Sequence, residues 1–211
     1  MRVKTEAKRE AIVQVATEVF RELGFEGASM VEIAARVGGS RATLYGYFST
    51  KEELFVASIH GVAKQHFAPL FASLTQDKAD WTQTLQHFGE KFLAVVCSQE
   101  AIQAQRAVIA ESGRSNIGRL FFEGGPQEGT KQLAAFLERQ MHHGRLRTAD
   151  SGAAANHLMA LLESETVKPR LLDIGPTPTR KALREATQRA LQVFLGGYAP
   201  ADGRVASPSV K

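Results

Sequence analysis

Apolar side chains in this 211-residue chain recur at steps of three and four, and no stretch alternates convincingly at every second residue. That pattern argues against a sheet and for helices that each bury one stripe. The first stripe is Ile12, Val15, Ala16, Val19, Phe20 and Leu23, which predicts a helix over 5–23. Gly24 follows it and suits a left-handed helix end, with Phe25 placed to pack back. Ser29 and Glu32 have capping-box spacing for a second, short helix carrying Ile33, Ala34 and Val37. Gly38-Gly39 stop it, since glycine tolerates positive φ. Ser40 is a good N-cap for the segment Arg41–Phe48, and Ser49-Thr50 ahead of Lys-Glu-Glu53 opens a further helix near Lys51.

Two short helices joined by a glycine-containing turn are the ingredients of a helix-turn-helix. Between Glu32 and Glu52 there is no carboxylate, only Arg36, Arg41 and Lys51 with hydroxyls at Ser40, Thr43, Tyr45, Tyr47, Ser49 and Thr50. A surface of that kind approaches phosphates without repulsion, and helix N-terminal amides add partial positive charge. Cations there supply salt-dependent affinity, while contacts to base edges supply specificity. Spacing alone leaves a second use open. Glycine-linked helical hairpins occur in many all-α proteins, and tyrosines on short helices commonly pack.

Twenty-six Lys+Arg against 22 Asp+Glu give a formal charge of +4, which permits a nucleic-acid partner without requiring one. The longest purely apolar run, Phe92–Cys97, is far short of the roughly 18–20 residues that a membrane helix needs. Met1-Arg-Val-Lys-Thr-Glu has no apolar export region. The expectation is a cytoplasmic chain with no membrane partner. The single cysteine, Cys97, builds neither a disulfide nor a thiolate metal site and reads as a small buried hydrophobe or an oxidation sensor. His142 and His143 point about 100° apart on a helix, so they suit a helix C-terminus better than a metal pair. His60 and His66 lack ligand partners at metal spacing. No phosphate-cradling loop, nucleophile elbow or HExxH is present, so neither an enzyme nor a bound cofactor or metal is expected.

The stretch Arg9–Leu54 resembles the N-terminal domain of the TetR family of transcriptional regulators. The residues that carry the resemblance are Ile12-Val-Gln-Val-Ala16, Phe20, Gly24-Phe25, Ser29-Met30, Ile33-Ala34, Val37-Gly38, Thr43-Leu-Tyr45, Tyr47-Phe48 and Lys51-Glu-Glu-Leu54. The resemblance implies a three-helix head whose third helix enters the major groove. Arg41, Thr43, Tyr45 and Tyr47 would face DNA, with Tyr45 and Tyr47 on phosphates. Lys51 and the Ser29 end of the second helix would sit on the backbone, with Ser40 and Gly46 within the contact surface. Ile33, Ala34, Leu44 and Phe48 would hold the head together. Gly39 and Gly46 depart from the bulkier residues usual there. Gly46 costs about 1 kcal/mol of helix propensity relative to Ala, and it either admits the DNA backbone or reduces base contacts.

The remaining residues also read as helical, over Lys51 to about Phe67 with Pro69 ending or kinking it, then Trp81–Ser98, Glu100–Arg114, Asn116–Glu123, Pro126–His143, Ala149–Glu165 and Thr179–Leu195. The expected organisation is a helix-turn-helix domain over 1–50, a helical effector-binding and dimerisation domain over 51–198, and a disordered tail over 199–211. Gln105-Arg-Ala-Val-Ile-Ala-Glu-Ser, Leu120-Phe-Phe-Glu-Gly-Gly-Pro126 and Gly144-Arg-Leu-Arg-Thr-Ala-Asp150, with Ala153-Ala154, resemble the C-terminal domain of AefR-like regulators in that family. The family pairs its last two long helices across a dimer, which here implies 149–165 and 179–195. A monomer in which those stripes only cap the core is the alternative.

Nine of the twelve phenylalanines lie beyond residue 50, which matters because an apolar effector needs apolar walls. Phe67, Phe71, Trp81, Phe88, Phe92, Phe121, Phe122 and Phe136 are candidates for such a pocket, with His66, His87, Arg106 and Glu111 for its polar contacts. Any one of these aromatics also fits as ordinary core. The functional expectation is a homodimeric repressor released from a palindromic operator by a small apolar effector. A low-specificity DNA-organising factor and an enzyme or carrier with a relic head are the alternatives.

Overall fold

The computed structural model describes residues 5–75 and 80–200. These form eleven helices and, among the described residues, no strand: α1 (Glu6–Gly27), α2 (Met30–Val37), α3 (Arg41–Tyr47), α4 (Lys51–Leu74), α5 (Trp81–Val96), α6 (Gln99–Glu111), α7 (Ile117–Gly124), α8 (Pro126–His142), α9 (Ser151–Glu163), α10 (Val167–Leu171) and α11 (Arg180–Tyr198). The all-α expectation holds. The disordered tail expected over 199–211 falls, beyond Pro200, outside the described residues.

The helix boundaries follow the local signals closely. Thr5, Ser29, Ser40, Asp80, Asp150 and Thr179 each accept a first-turn amide with their side-chain oxygen. Gly24 takes φ 70° as its position predicts, but a further helical turn follows it, so α1 reaches Gly27. The Ser29 capping box forms only in one direction. Ser29 Oγ accepts from the Glu32 amide at 3.2 Å, whereas the Glu32 carboxylate turns to Arg36 Nε at 2.7 Å. At α4 the bonds run both ways but one residue out of register: Thr50 Oγ1 accepts from the Glu53 amide, and the Glu53 carboxylate accepts at 2.7 Å from the amide of Ser49, the residue before the cap.

α4 differs from its expected end near Phe67. It continues through Pro69 to Leu74. A proline removes one ladder hydrogen bond. Leu70, Phe71 and Leu74 beyond it are all buried, and their packing keeps the last turns helical.

The described residues fall into two compact units, which do not divide at residue 50. One takes the chain up to Gln65 with Ala104–Gly125, and the other takes His66–Gln103 with the chain from Pro126. In the first, Ile12, Ala16, Val19, Ile33, Leu44, Phe48 and Leu54 share a core with Val108 of α6 and Ile117 of α7. Phe55 of α4 meets Phe20 and Phe25 with ring centroids 4.9 and 4.8 Å apart. The helix-turn-helix therefore has no complete core without the start of α4. In the second unit, Phe88, Phe136 and Phe194 are fully buried among α5, α8, α9 and α11. Gly89 is the closest approach there: a Cβ on it would lie 2.6 Å from Thr187 Cγ2 and 2.9 Å from Leu162 Cδ2.

Candidate nucleic-acid interface

α3 is a seven-residue helix whose inner face is set by Leu44 and the following Phe48, 2% and 3% exposed. Burial of those two turns Ala42 and Gly46 to the opposite side; Arg41, in the first turn, and Tyr45 are also exposed, with Thr43 and Tyr47 half-buried. Gly46 has open space where a Cβ would stand, so no contact within the fold requires glycine there. Ser40 Oγ accepts from the Thr43 amide at 3.1 Å and lies 3.0 Å from Thr43 Oγ1. Ser29 and Ser40 thus both act as helix caps. Tyr45 is 50% exposed, high for a large aromatic ring in a folded protein.

The three cations of this segment have different employments. Arg36 bonds Glu22 at 2.6 Å and Glu32 at 2.7 Å; the two carboxylates raise its pKa, which holds it protonated, and their own negative charges offset its positive one. The Lys51 ammonium folds inward, donating to the carbonyls of Phe25 at 2.8 Å and Ala28 at 3.2 Å, and it lies 4.3 Å from the Phe25 ring centroid. It closes the end of α1 and has one N–H left for other partners. Arg41 is exposed and makes no hydrogen bond or ion pair among the described residues. The formally tri-cationic segment therefore presents one unengaged guanidinium at the positive end of a short helix.

Sequence reasoning did not single out Thr5. It caps α1, and its backbone N–H donates to the Tyr47 hydroxyl at 3.0 Å, which leaves the phenolic proton directed elsewhere. A Thr three residues ahead of Lys8, before the first apolar stripe, was the available signal for the cap; nothing local foretold the tyrosine.

The residues proposed to line a pocket are split between the two units. Phe67, Phe71, Phe88 and Phe92 pack ring on ring in the second unit, at centroid distances of 5.3–6.2 Å, and Trp81 packs against that core. Phe136 is buried in the same core. His87 is on the exposed side of α5 with Nδ1 against the Gln83 carbonyl at 2.9 Å. Arg106, Glu111, Phe121 and Phe122 belong to the first unit. There Glu111 pairs with Arg114, and Phe122 is 54% exposed. A cleft of about 260 Å³ in the second unit is lined instead by residues of the 165–189 region, among them Pro169, Arg170, Ile174 and Arg189. None of the proposed pocket residues lines it.

On α9, Ala153, Asn156, His157 and Ala160 face outward, and on α11 Arg189, Val193, Gly196 and Gly197 do so. Cys97 is buried, and burial pushes its thiol up, away from the reactive thiolate. Among the described residues no group of His, Cys, Asp and Glu is arranged to hold a metal. Nor is any helix long and apolar enough to cross a membrane.

Residues 12–58 match the family model described as bacterial regulatory proteins, tetR family, and residues 83–200 match the AefR-like transcriptional repressor C-terminal domain. The second match alone spans more than half of the chain. The chain belongs to the TetR family of transcriptional regulators. It is a regulator with a DNA-binding helix-turn-helix, not an enzyme. Among solved TetR-family structures, a transcriptional regulator from Mesorhizobium loti superposes with TM-score 0.81 at 25% identity, covering 94% of this chain and all of that one. The flavonoid-responsive regulator FrrA superposes with TM-score 0.71 at 28% identity, covering 93% and 100%. The regulator RutR of Escherichia coli is 36% identical over 66 residues, 31% of each chain. This TetR-family chain thus spans about a third of the length of the curated relatives it matches first.

Proposed function

We propose that the protein is a homodimeric repressor, working in the cytoplasm, whose two heads hold a palindromic operator until a small apolar effector releases it. The observation that carries the DNA half is the outward face of α3, where Arg41 and Tyr45 stand free and no carboxylate intervenes from Ile33 to Lys51. In this reading Arg41, Thr43 and Gly46 meet bases or the sugar edge, and the Tyr45 and Tyr47 hydroxyls meet phosphates. The capped N-termini at Ser29 and Ser40 aim amide dipoles at the backbone, and the third Lys51 proton adds to them.

The homodimer is supported by Ala153 and Ala160 on the outward side of α9 and by Val193, Gly196 and Gly197 on that of α11, where small or apolar residues permit close helix approach. Two heads on a twofold axis would read half-sites about one helical turn apart. The effector site is proposed around Phe67, Phe71, Trp81, Phe88 and Phe92, which share one core. A structural relative named as flavonoid-responsive supports an aromatic, largely apolar ligand. Release requires the effector to bind better to a conformation whose heads do not fit successive major grooves, since equal affinity for both shifts nothing.

The test is selection of bound duplexes from a random pool at near-physiological salt, followed by affinity measurement on the recovered duplex with Arg41→Ala and Tyr45→Ala proteins. A palindrome should emerge, and each substitution should weaken binding about fivefold or more, matching the roughly 1–3 kcal/mol of a base or phosphate contact. Wild-type affinity in both variants would remove α3 as the reading surface.

A further inference from the structure

Two contacts bring the first turn of α1 against the end of α3. The Thr5 backbone N–H donates to the Tyr47 hydroxyl oxygen at 3.0 Å. Nearby, the Arg9 guanidinium lies 5.1 Å from the centroid of the Phe48 ring. Thr5 is the N-cap of α1, and its several bonds use different atoms. The side-chain oxygen accepts from the Lys8 amide at 3.3 Å, and the carbonyl accepts from the Arg9 amide at 3.1 Å. The N–H of an N-cap lies outside the intrahelical ladder, so Thr5 gives it to Tyr47 at no cost to α1.

A phenol has one proton to donate and an oxygen that accepts. At Tyr47 the accepting role is taken by Thr5, and among the described residues no acceptor receives the proton. The ring itself is half-buried and packs on the core of the head. With the ring packed and the oxygen held, only the O–H bond is left to turn. Its proton therefore awaits a partner from outside the protein, and no carboxylate of the chain stands between Ile33 and Lys51 to compete for it. Tyr45, 50% exposed on the same helix, has no such anchor among the described residues.

We propose that Thr5 is a positioning residue for DNA binding, whose N–H holds the Tyr47 hydroxyl as a donor to a phosphodiester oxygen of the duplex. A phosphate oxygen only accepts, which is the chemistry that a phenol with its accepting role already filled requires. The tie also fixes the ring before DNA arrives, so less side-chain freedom is lost on binding. A phosphate carries no sequence information and tyrosine no charge. The tie therefore adds affinity for all duplexes alike and leaves the salt dependence unchanged. This assignment rests on the reading of α3 as the DNA-binding surface, and the test tells the two failures apart.

Thr5→Ala and Thr5→Pro are each made in the parent chain and in Tyr47→Phe. Alanine removes the cap oxygen and keeps the N–H. Proline removes both, and its φ near −65° stays in the extended region that Thr5 occupies at φ −110° and ψ 145°. The ratio of the two affinities thus isolates the N–H. By fluorescence anisotropy, Thr5→Pro should bind the recovered duplex and an unrelated one about fivefold more weakly than Thr5→Ala, with the same salt slope. In Tyr47→Phe the two should bind equally, because the acceptor is gone. Equal affinity in the parent chain, or the same loss in Tyr47→Phe, overturns the proposal. A loss confined to the recovered duplex assigns Tyr47 to bases and overturns it too. If the wild type binds neither duplex, the DNA-binding reading falls. The carbon-13 shift of the Tyr47 ζ-carbon in the free protein then still decides on the tie: Thr5→Pro should move it and Thr5→Ala should not, and an unmoved shift overturns the tie itself.

Discussion

Replacing Lys51 by methionine separates two jobs open to one ammonium group. In the free protein that group donates to the Phe25 and Ala28 carbonyls at 2.8 and 3.2 Å and lies over the Phe25 ring. Hydrogen bonds from a charged donor contribute about 1.5–3 kcal/mol each. The carbonyls here are partly accessible and the second bond is long, so the lower end applies. The cation–π contact adds about 0.5–1 kcal/mol, and methionine keeps most of the alkyl packing on Phe25. The expected loss is about 3.5–4 kcal/mol, or about 7–16 °C in the melting temperature of a chain this size. Calorimetry without DNA measures it. Duplex affinity across salt concentrations measures the other job, because each phosphate contact contributes about 0.9 to the slope. A bracing lysine gives the lowered melt and an almost unchanged slope. A melt within about 1 °C of wild type, with the slope reduced by about 0.9, refutes the brace and returns Lys51 to the phosphates.

Other consequences follow from particular contacts. Gly89→Ala forces a methyl against Thr187 and Leu162 and should cost about 1–3 kcal/mol by overpacking; an unshifted melt would contradict the close packing of α5 on α9 and α11. Burial lowers the His60 pKa from 6.5, so the unfolded chain binds the proton more readily. Stability from this group is therefore full above about pH 6.5 and is lost as pH falls toward the folded pKa, and His60→Asn should remove that part of the pH profile. Burial raises the Glu163 pKa, so ionisation opposes folding above the ordinary carboxylate range; Glu163→Gln should melt higher than wild type at pH 7 and lose that advantage near pH 4. Val193→Glu on the outward row of α11, 61% exposed in one chain, should leave the fold intact and shift sedimentation to the monomer. A dimer of unchanged stability would exclude that row from the interface.

Much of the head was legible because its signals are local. Ser29, Ser40 and Thr50 each bond an amide three residues ahead, and Leu44 and Phe48 are four apart on the buried side of α3. A period of 3.6 residues places Ala42 and Gly46 opposite Leu44, and Tyr45 about 100° round from it, without reference to the rest of the chain. The candidate site was less legible where charge was concerned. Glu22, fourteen residues before Arg36, cancels much of a cation that composition counts as available for DNA. The aromatic set was the least legible, because a phenylalanine at helical spacing buries equally well in either unit.

By itself the sequence determined that the chain is helical, where most helices begin, and which face of α3 points outward. Each of these depends on groups within about one or two turns, where covalent geometry and backbone hydrogen bonding leave few choices. Tertiary structure alone decided that α4 runs through Pro69, that Lys51 turns inward, and that the head draws α6 and α7 into its core. It also decided why glycine stands at 89 and 124, where another helix's side chains occupy the space of a Cβ. Those outcomes turn on contacts between residues tens of positions apart, and close packing, not propensity, selects among them.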